Sequence, residues 1–275
     1  MRVAVIGHVE HITLGRVPTV PGPGDIAHLM APRFFPGGGG GVAFFQLTRS
    51  AAEVLLFTAL GNDEGGRQVA ERLARARAVV HAAPRDVPHT RDVVMITPDG
   101  ERTIVVVGEP LHPERADPLP WETLGSCDAA YFTAQDPAAL AAARAARMLM
   151  VTARRRAALL RSGVRPDVVV GSALDPREAC TLADFPPEQR PAALVLTAGA
   201  AGGTVHTADG VQRFAAPPTS GSPTGSYGAG DSFAGALTYF LAAGLPVLEA
   251  CTRAGRFGAA VLGSLDPLEA QAWLG

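Results

Sequence analysis

The stretch Gly225-Ser226-Tyr227-Gly228-Ala229-Gly230-Asp231-Ser232-Phe233 runs straight into the apolar residues Ala234–Ala243. Small residues ahead of a helix leave several backbone N–H groups without intrahelical partners, with the positive end of the helix dipole behind them. Such a turn can hold an anion. Asp231 would sit in the first turn beside that anion. A plainer reading also fits, because Asp is favoured in a first helical turn and Gly-Ala-Gly permits close packing. Upstream, Thr197-Ala198-Gly199-Ala200-Ala201-Gly202-Gly203 follows the apolar run Leu194–Leu196. A glycine loop at the carboxyl end of a parallel strand is where open α/β sheets bind ligands, although an ordinary turn would read the same way. The third element is Phe35-Pro36 followed by five glycines, Gly37–Gly41, opening onto Val42 and Ala43–Ser50. So many glycines are entropically expensive, and close approach of a ligand to bare backbone is a reason to keep them.

Composition narrows the chemistry. The 275 residues are 47% hydrophobic and 18% charged, enough to bury a substantial core, with a formal net charge of −2. No basic field recruits nucleic acid or an anionic membrane surface. All 24 cations are Arg. Without Lys there is no Walker P-loop, no protein-kinase strand Lys and no Schiff base. Cys127, Cys180 and Cys251 are odd in number and far apart, which points to buried free thiols and a reducing cytoplasm. Arg2–Ile6 is too short an apolar run for a signal peptide and reads as a strand, and no stretch is long enough to span a bilayer.

Positioning these residues requires alternating strands and helices. Strands are expected at Arg2–Ile6, Val54–Ala59, Val93–Thr97, Thr103–Val107, Ala129–Thr133, Met148–Val151, Val168–Val170 and Leu194–Thr197. Helices are expected at Val42–Ala51, Gly66–Arg77, Pro137–Arg147, Arg154–Arg161, Pro176–Ala183, Ala229–Ala243 and Pro246–Leu262. This order predicts an α/β fold with a largely parallel sheet and helices on both faces. Two segments break the rhythm: Ile12–Phe35, rich in Pro and Gly, and the pair of strands around the turn Pro98-Asp99-Gly100-Glu101. Both read as antiparallel and peripheral, either a β-lid over a cleft or a decorated sheet edge. One domain over residues 1–275, with lid segments near 12–35 and 91–108, is the simplest organisation.

In this order the motifs resemble the ribokinase-like (PfkB) family of carbohydrate kinases. Gly37–Ala52 with Val54–Gly66, ending Leu60-Gly61-Asn62-Asp63-Glu64-Gly65-Gly66, looks like that family's N-terminal signature. Pro223–Phe233 looks like its C-terminal signature, with the GAGD core intact as Gly228-Ala229-Gly230-Asp231. Asp99-Gly100-Glu101-Arg102-Thr103 resembles the lid turn, and Gly7-His8-Val9 with Pro21-Gly22-Pro23-Gly24-Asp25 resembles the opening strand and the approach to the lid.

The resemblance implies a three-layer α/β/α sandwich with a small β-sheet lid, ATP as phosphoryl donor and Mg²⁺ as its companion. It implies Asp231 as the base that deprotonates an acceptor hydroxyl. Gly228, Ala229 and Gly230 would form the anion hole, so that a branched residue at Gly228 would block the phosphoryl group without unfolding the chain. Thr197, Gly199 and Gly202 would lie at the nucleotide. Asp175 and Glu178 would organise the metal's water shell, a pair that a helix N-terminus would also favour. Gly37, Gly38, Gly39, Glu10, Val42 and Gln135 would surround the acceptor, with Glu10 and Val42 departing from the usual residues. Gly225 replaces an Asp tied to monovalent-cation activation, which puts potassium dependence in question.

His8-Val9-Glu10-His11 is not a helical metal motif; Glu10 and His11 read as polar acceptor contacts. Arg154–Arg156 reads as a solvated helix start. The expected activity is phosphorylation of a sugar or related polyol, with a nucleoside kinase or a weakly catalytic sugar- or nucleotide-binding sensor as alternatives. A homodimer through the lid is also left open.

Overall fold

The computed structural model describes residues 1–218 and 224–275. Its framework is set by runs such as Val3–Ile6, in which every residue is buried. Val3 and Val5 enter one apolar cluster and Ala4 and Ile6 another. A strand buried on both faces needs helices on both sides, the signature of a parallel sheet.

That strand is β1 (Arg2–Ile6), near the middle of a nine-stranded sheet. Its neighbours are β4 (Glu53–Gly61), with β5 (Val79–Arg85) beyond it, and on the other side β8 (Ala129–Phe132), β9 (Met148–Thr152), β10 (Val168–Ser172) and β11 (Ala193–Thr197). All of these pairings are parallel. An antiparallel hairpin, β12 (Gly203–Thr207) and β13 (Gly210–Phe214), finishes the sheet beyond β11. One face carries α1 (Gly38–Thr48), α2 (Glu64–Ala74), α5 (Ala229–Ala242) and α6 (Val247–Ala260). The other carries α3 (Pro137–Ala143) and α4 (Arg156–Ser162).

A separate four-stranded sheet has the order β3 (Met30–Gly37), β2 (Glu10–Arg16), β6 (Arg91–Ile96) and β7 (Arg102–Val107). This is the expected lid, with one correction: β2 pairs parallel with β6, so it is not wholly antiparallel. Its inner face, Ile12, Leu14, Phe35, Val94 and Ile96, packs on Val42, Tyr227 and Leu268. Val42 is thereby fully buried and offers no surface to a substrate, contrary to its expected place in the acceptor pocket.

Two expected helices change. The Pro137–Arg147 pattern stops at Ala143, because the Arg144 guanidinium turns back onto the carbonyl of Ala146 (2.9 Å) and Asp167 (2.7 Å). Pro176–Ala183 forms no helix. Asp175 accepts the Arg177 N–H (2.9 Å), and a single 3₁₀ turn at Leu182–Asp184 is closed by a reciprocal Thr181–Asp184 cap. The strands β2, β3, β5, β12 and β13 were unforeseen or only partly foreseen; Pro and Gly within or beside them mask their period.

The layer behind the site depends on close passage of α5 over α1. A Cβ on Gly235 would lie 2.7 Å from the Ala43 carbonyl oxygen. Gly235→Val should therefore cost about 1–3 kcal/mol by overpacking, read as a lowered midpoint in urea unfolding. An unchanged midpoint would mean that the helices separate freely.

Candidate active site

The glycine run and the GAGD turn converge on the carboxyl end of β1. Three successive amides at the start of α1 are taken by the protein itself: Gly38 N–H donates to the Tyr227 hydroxyl (3.0 Å), Gly39 N–H to His8 Nε2 (3.3 Å) and Gly40 N–H to the His8 carbonyl (3.1 Å). The glycines therefore admit the protein's own side chains first. A Cβ on Gly39 would stand 3.0 Å from Thr133 Oγ1 and 3.3 Å from Asp231 Oδ1, and one on Gly38 would stand 2.9 Å from Glu10 Oε2. Glu10, His8, Thr133 and Asp231 thus gather around the bare backbone of Gly38 and Gly39, while Gly37 is closed in by Ile12 and Tyr227.

Asp231 occupies the first turn of α5, whose N-cap, Gly228, adopts a left-handed φ of 78°. The amides of Ala229, Gly230 and Asp231 are the first of the helix and have no intrahelical acceptor. Burial, and then the nearby Glu178, push the Asp231 carboxyl up to about 6; Arg102 and Arg154 oppose this. Arg102 comes from the lid, where its guanidinium donates to Ser226 Oγ (3.1 Å). The lid hairpin thereby brings a cation to the edge of the GAGD turn, in a chain that has no Lys to supply one.

Glu10 begins β2 and is buried near Asp92 of β6, and each carboxyl influences the other's proton. Burial first, then Asp92 and Asp231, raise Glu10 well above the ordinary carboxylate range, while Arg155 pulls the other way. Two buried carboxyls this close retain a proton between them. Glu10 can then donate as well as accept. His8 lies 3.7 Å from Glu10. Burial and the adjacent Arg155 push its imidazole down to about 3, so it is neutral, and its Nε2 is the acceptor for Gly39.

The remaining expected residues divide. Thr197 and Gly199 stand at the carboxyl end of β11, and Gly202 has a φ of 82° and packs so closely that a side chain would strike the Phe214 carbonyl. Asp175 and Glu178 are held together by Arg154, at 2.5 and 2.7 Å. Glu178 also accepts the Ser172 N–H (2.9 Å), and Asp175 that of Arg177. Their oxygens are already engaged by donors, so the pair does not fit a ready-made Mg²⁺ site. Among the described residues no group of three metal-ligating side chains occurs. Gln135 is exposed and lines a neighbouring cavity; His11 bonds Gln68 at 2.9 Å, away from Asp231. Pro223 lies outside the described residues.

Sequence reasoning missed Asp92, Thr133, His112 and Arg155. Arg155 is not the solvated residue expected: its Nε donates to the Thr133 carbonyl (2.9 Å) and it is half-buried. Asp92 and Thr133 are single polar residues at strand ends, His112 lies in a loop and Arg155 within a run of three arginines, signals too common to single out.

Two tests follow. A side chain on Gly228 would meet Pro267 and Val42 at 3.0 and 3.2 Å, so that position tests the fold rather than the anion turn. Gly230 faces open space, with nothing within 4 Å of its Cβ position. Gly230→Val should leave the melting temperature near wild type and lower turnover at least about tenfold by obstructing the amides; equal turnover would remove them from the site. A base at Asp231 would have to be ionised, and its pKa is raised to about 6, so in that role turnover should fall as pH drops below that value. A flat profile from pH 5 to 8 would contradict this.

Three comparisons bear on this arrangement. Residues 167–270 match the family described as pfkB family carbohydrate kinase. Among solved structures, a putative ribokinase from Agrobacterium tumefaciens superposes with a TM-score of 0.81 at 20% identity, covering 99% of this chain and 94% of that one. Arabidopsis thaliana ribokinase, solved with ribose and ATP, gives 0.76 at 15% identity over 99% and 96%. A Methanocaldococcus jannaschii nucleoside kinase gives 0.72 at 14% identity over 99% and 95%. A search of curated proteins found no match. The chain therefore has the ribokinase-like fold throughout, and its C-terminal part carries the PfkB carbohydrate-kinase pattern that its motifs resembled.

Proposed function

We propose that this chain is an ATP-dependent phosphotransferase acting on a hydroxyl of a sugar or related polyol. The observation that carries the reading is the convergence of Asp231, Glu10, His8 and Thr133 on the Gly38–Gly39 backbone, directly beside the free amides of α5. Phosphoryl transfer asks for positioning and for stabilisation of negative charge more than for covalent chemistry. In this reading the amides of Ala229, Gly230 and Asp231 receive the transferring group and Arg102 adds positive charge from the lid. Glu10 holds acceptor hydroxyls and Asp231 takes the proton. Thr197 and Gly199 support the nucleotide. Mg²⁺ would enter with the ATP phosphates; no step is assigned to it through Asp175 or Glu178.

The lid presents Phe34 on β3 and Val105 and Val107 on β7 to solvent. Apolar residues on sheet edges favour pairing with another chain, which supports a homodimer through the lid. Among the described residues no helix is long and apolar enough to cross a membrane, and all three cysteines are free and buried.

Asp231→Asn preserves size while removing the proton acceptor. In a coupled ADP-release assay over sugars and nucleosides its turnover should fall by about 10²–10⁴-fold, with affinity for an ATP analogue nearly unchanged. Wild-type turnover in the variant would remove Asp231 as base. Binding of sugar or nucleotide without ADP release by the wild type would favour a sensor.

A further inference from the structure

A cavity of ≈ 720 Å³ opens at the carboxyl ends of β5 and β8, lined by Arg85, His112, Glu114, Arg115, Gln135 and Asp136 among others. Small-molecule pockets run from about 300 to 1,000 Å³, and a single sugar ring at Asp231 leaves this volume unused. The cavity is not remote from the acceptor residues. His112, on its wall, packs edge-on against His8 with ring centroids 4.9 Å apart. Arg155 joins the two sides, reaching His112 Nε2 (3.5 Å) with one guanidinium nitrogen and the Thr133 carbonyl (2.9 Å) with another. The cavity thus begins one side chain beyond His8.

Its chemistry selects the occupant. The Arg85 charge is spent on a bidentate pair with Asp117 (2.7 and 2.8 Å). Asp136 accepts the amides of Ala138 (3.0 Å) and Ala139 (3.1 Å) at the start of α3 and that of Arg115 (2.6 Å), and keeps its negative charge. Arg115 and Glu114 remain, and their charges cancel. A phosphate-bearing ligand therefore finds no net positive field. His112 is the sole ring of the wall, so a purine has little to stack on. Several planar polar side chains around a roomy space with no net positive charge suit a ring bearing hydroxyls.

We propose that the acceptor is a neutral two-ring glycoside, with one sugar at Asp231 and Glu10 and a second sugar in this cavity. The inference deepens the kinase reading and rests on it for the first ring.

Calorimetry on the full chain with glucose and maltose, galactose and lactose, fructose and sucrose, and ribose and adenosine tests it. At least one disaccharide should bind about tenfold or more tightly than its parent sugar, the gain of one or two net hydrogen bonds. Ala138→Trp, at an exposed position lining the cavity, should bring that affinity ratio close to one while the melting temperature holds. Gln135→Ala should reduce the ratio partially and serves if the larger substitution unfolds the chain. No disaccharide exceeding its parent, adenosine showing the largest gain, or a ratio indifferent to both substitutions would overturn the proposal. ADP release with the same compounds separates the two readings. Tight disaccharide binding without ADP release supports the cavity and sinks the kinase; ADP release with monosaccharides alone sinks the cavity.

Discussion

The site hangs on the joint between two glycine-rich turns that are far apart in sequence. Tyr227, just ahead of the GAGD turn, accepts the Gly38 amide at the start of α1. His8, just past β1, accepts the next two amides. Tyr227 is buried and His8 partly so, and a buried amide left unpaired there would cost about 1–3 kcal/mol. The joint is therefore self-enforcing: β1, α1 and α5 must arrive together or leave buried donors unsatisfied. Gln271 secures the same junction from behind by donating to the Val42 carbonyl (2.9 Å) and to Ser232 Oγ (3.1 Å). What remains at the surface of this joint is Asp231 beside bare backbone, with unspent helix amides next to it.

The charge arrangement follows from burial as much as from sequence. Asp231, Glu10 and Asp92 all lie in a region that disfavours ionised carboxyls, and all three are raised. Arginine does the balancing throughout. Arg102 reaches in from the lid, Arg154 clamps Asp175 and Glu178, and Arg155 lies between Glu10 and the two histidines. Because Arg stays charged when partly desolvated, this set keeps its positive field where a Lys would be prone to lose a proton. Burial above all, with Arg155 adding to it, keeps His8 and His112 neutral, so that this wall offers hydrogen bonds rather than charge.

The parallel sheet and the GAGD turn were legible because local rules and global structure agree there. Val3–Ile6 can only be a doubly buried strand, and Gly228–Asp231 before an apolar run can only open a helix. The glycine run was legible as a site of close approach but not in what approaches it, since His8 and Thr133 arrive from other strands. Asp175–Glu178 reads as a helix start, yet Arg154, more than twenty residues earlier, recruits both carboxylates and holds the segment in turns. Val42 enters the pocket only through the family resemblance, whereas the helix rotates it into the core beneath the lid. Wherever a residue's partners lie on another element, spacing alone is silent.

The central claim is that Asp231 acts on the acceptor hydroxyl while the phosphoryl group passes directly from nucleotide to acceptor. Stereochemistry at phosphorus separates this from a route in which the Asp231 carboxylate itself takes the group first. With γ-thiophosphate-labelled ATP of defined oxygen-isotope chirality and a turning-over acceptor, a single in-line transfer gives inversion at phosphorus. Retention, the outcome of two successive displacements through a phosphorylated Asp231, would contradict it.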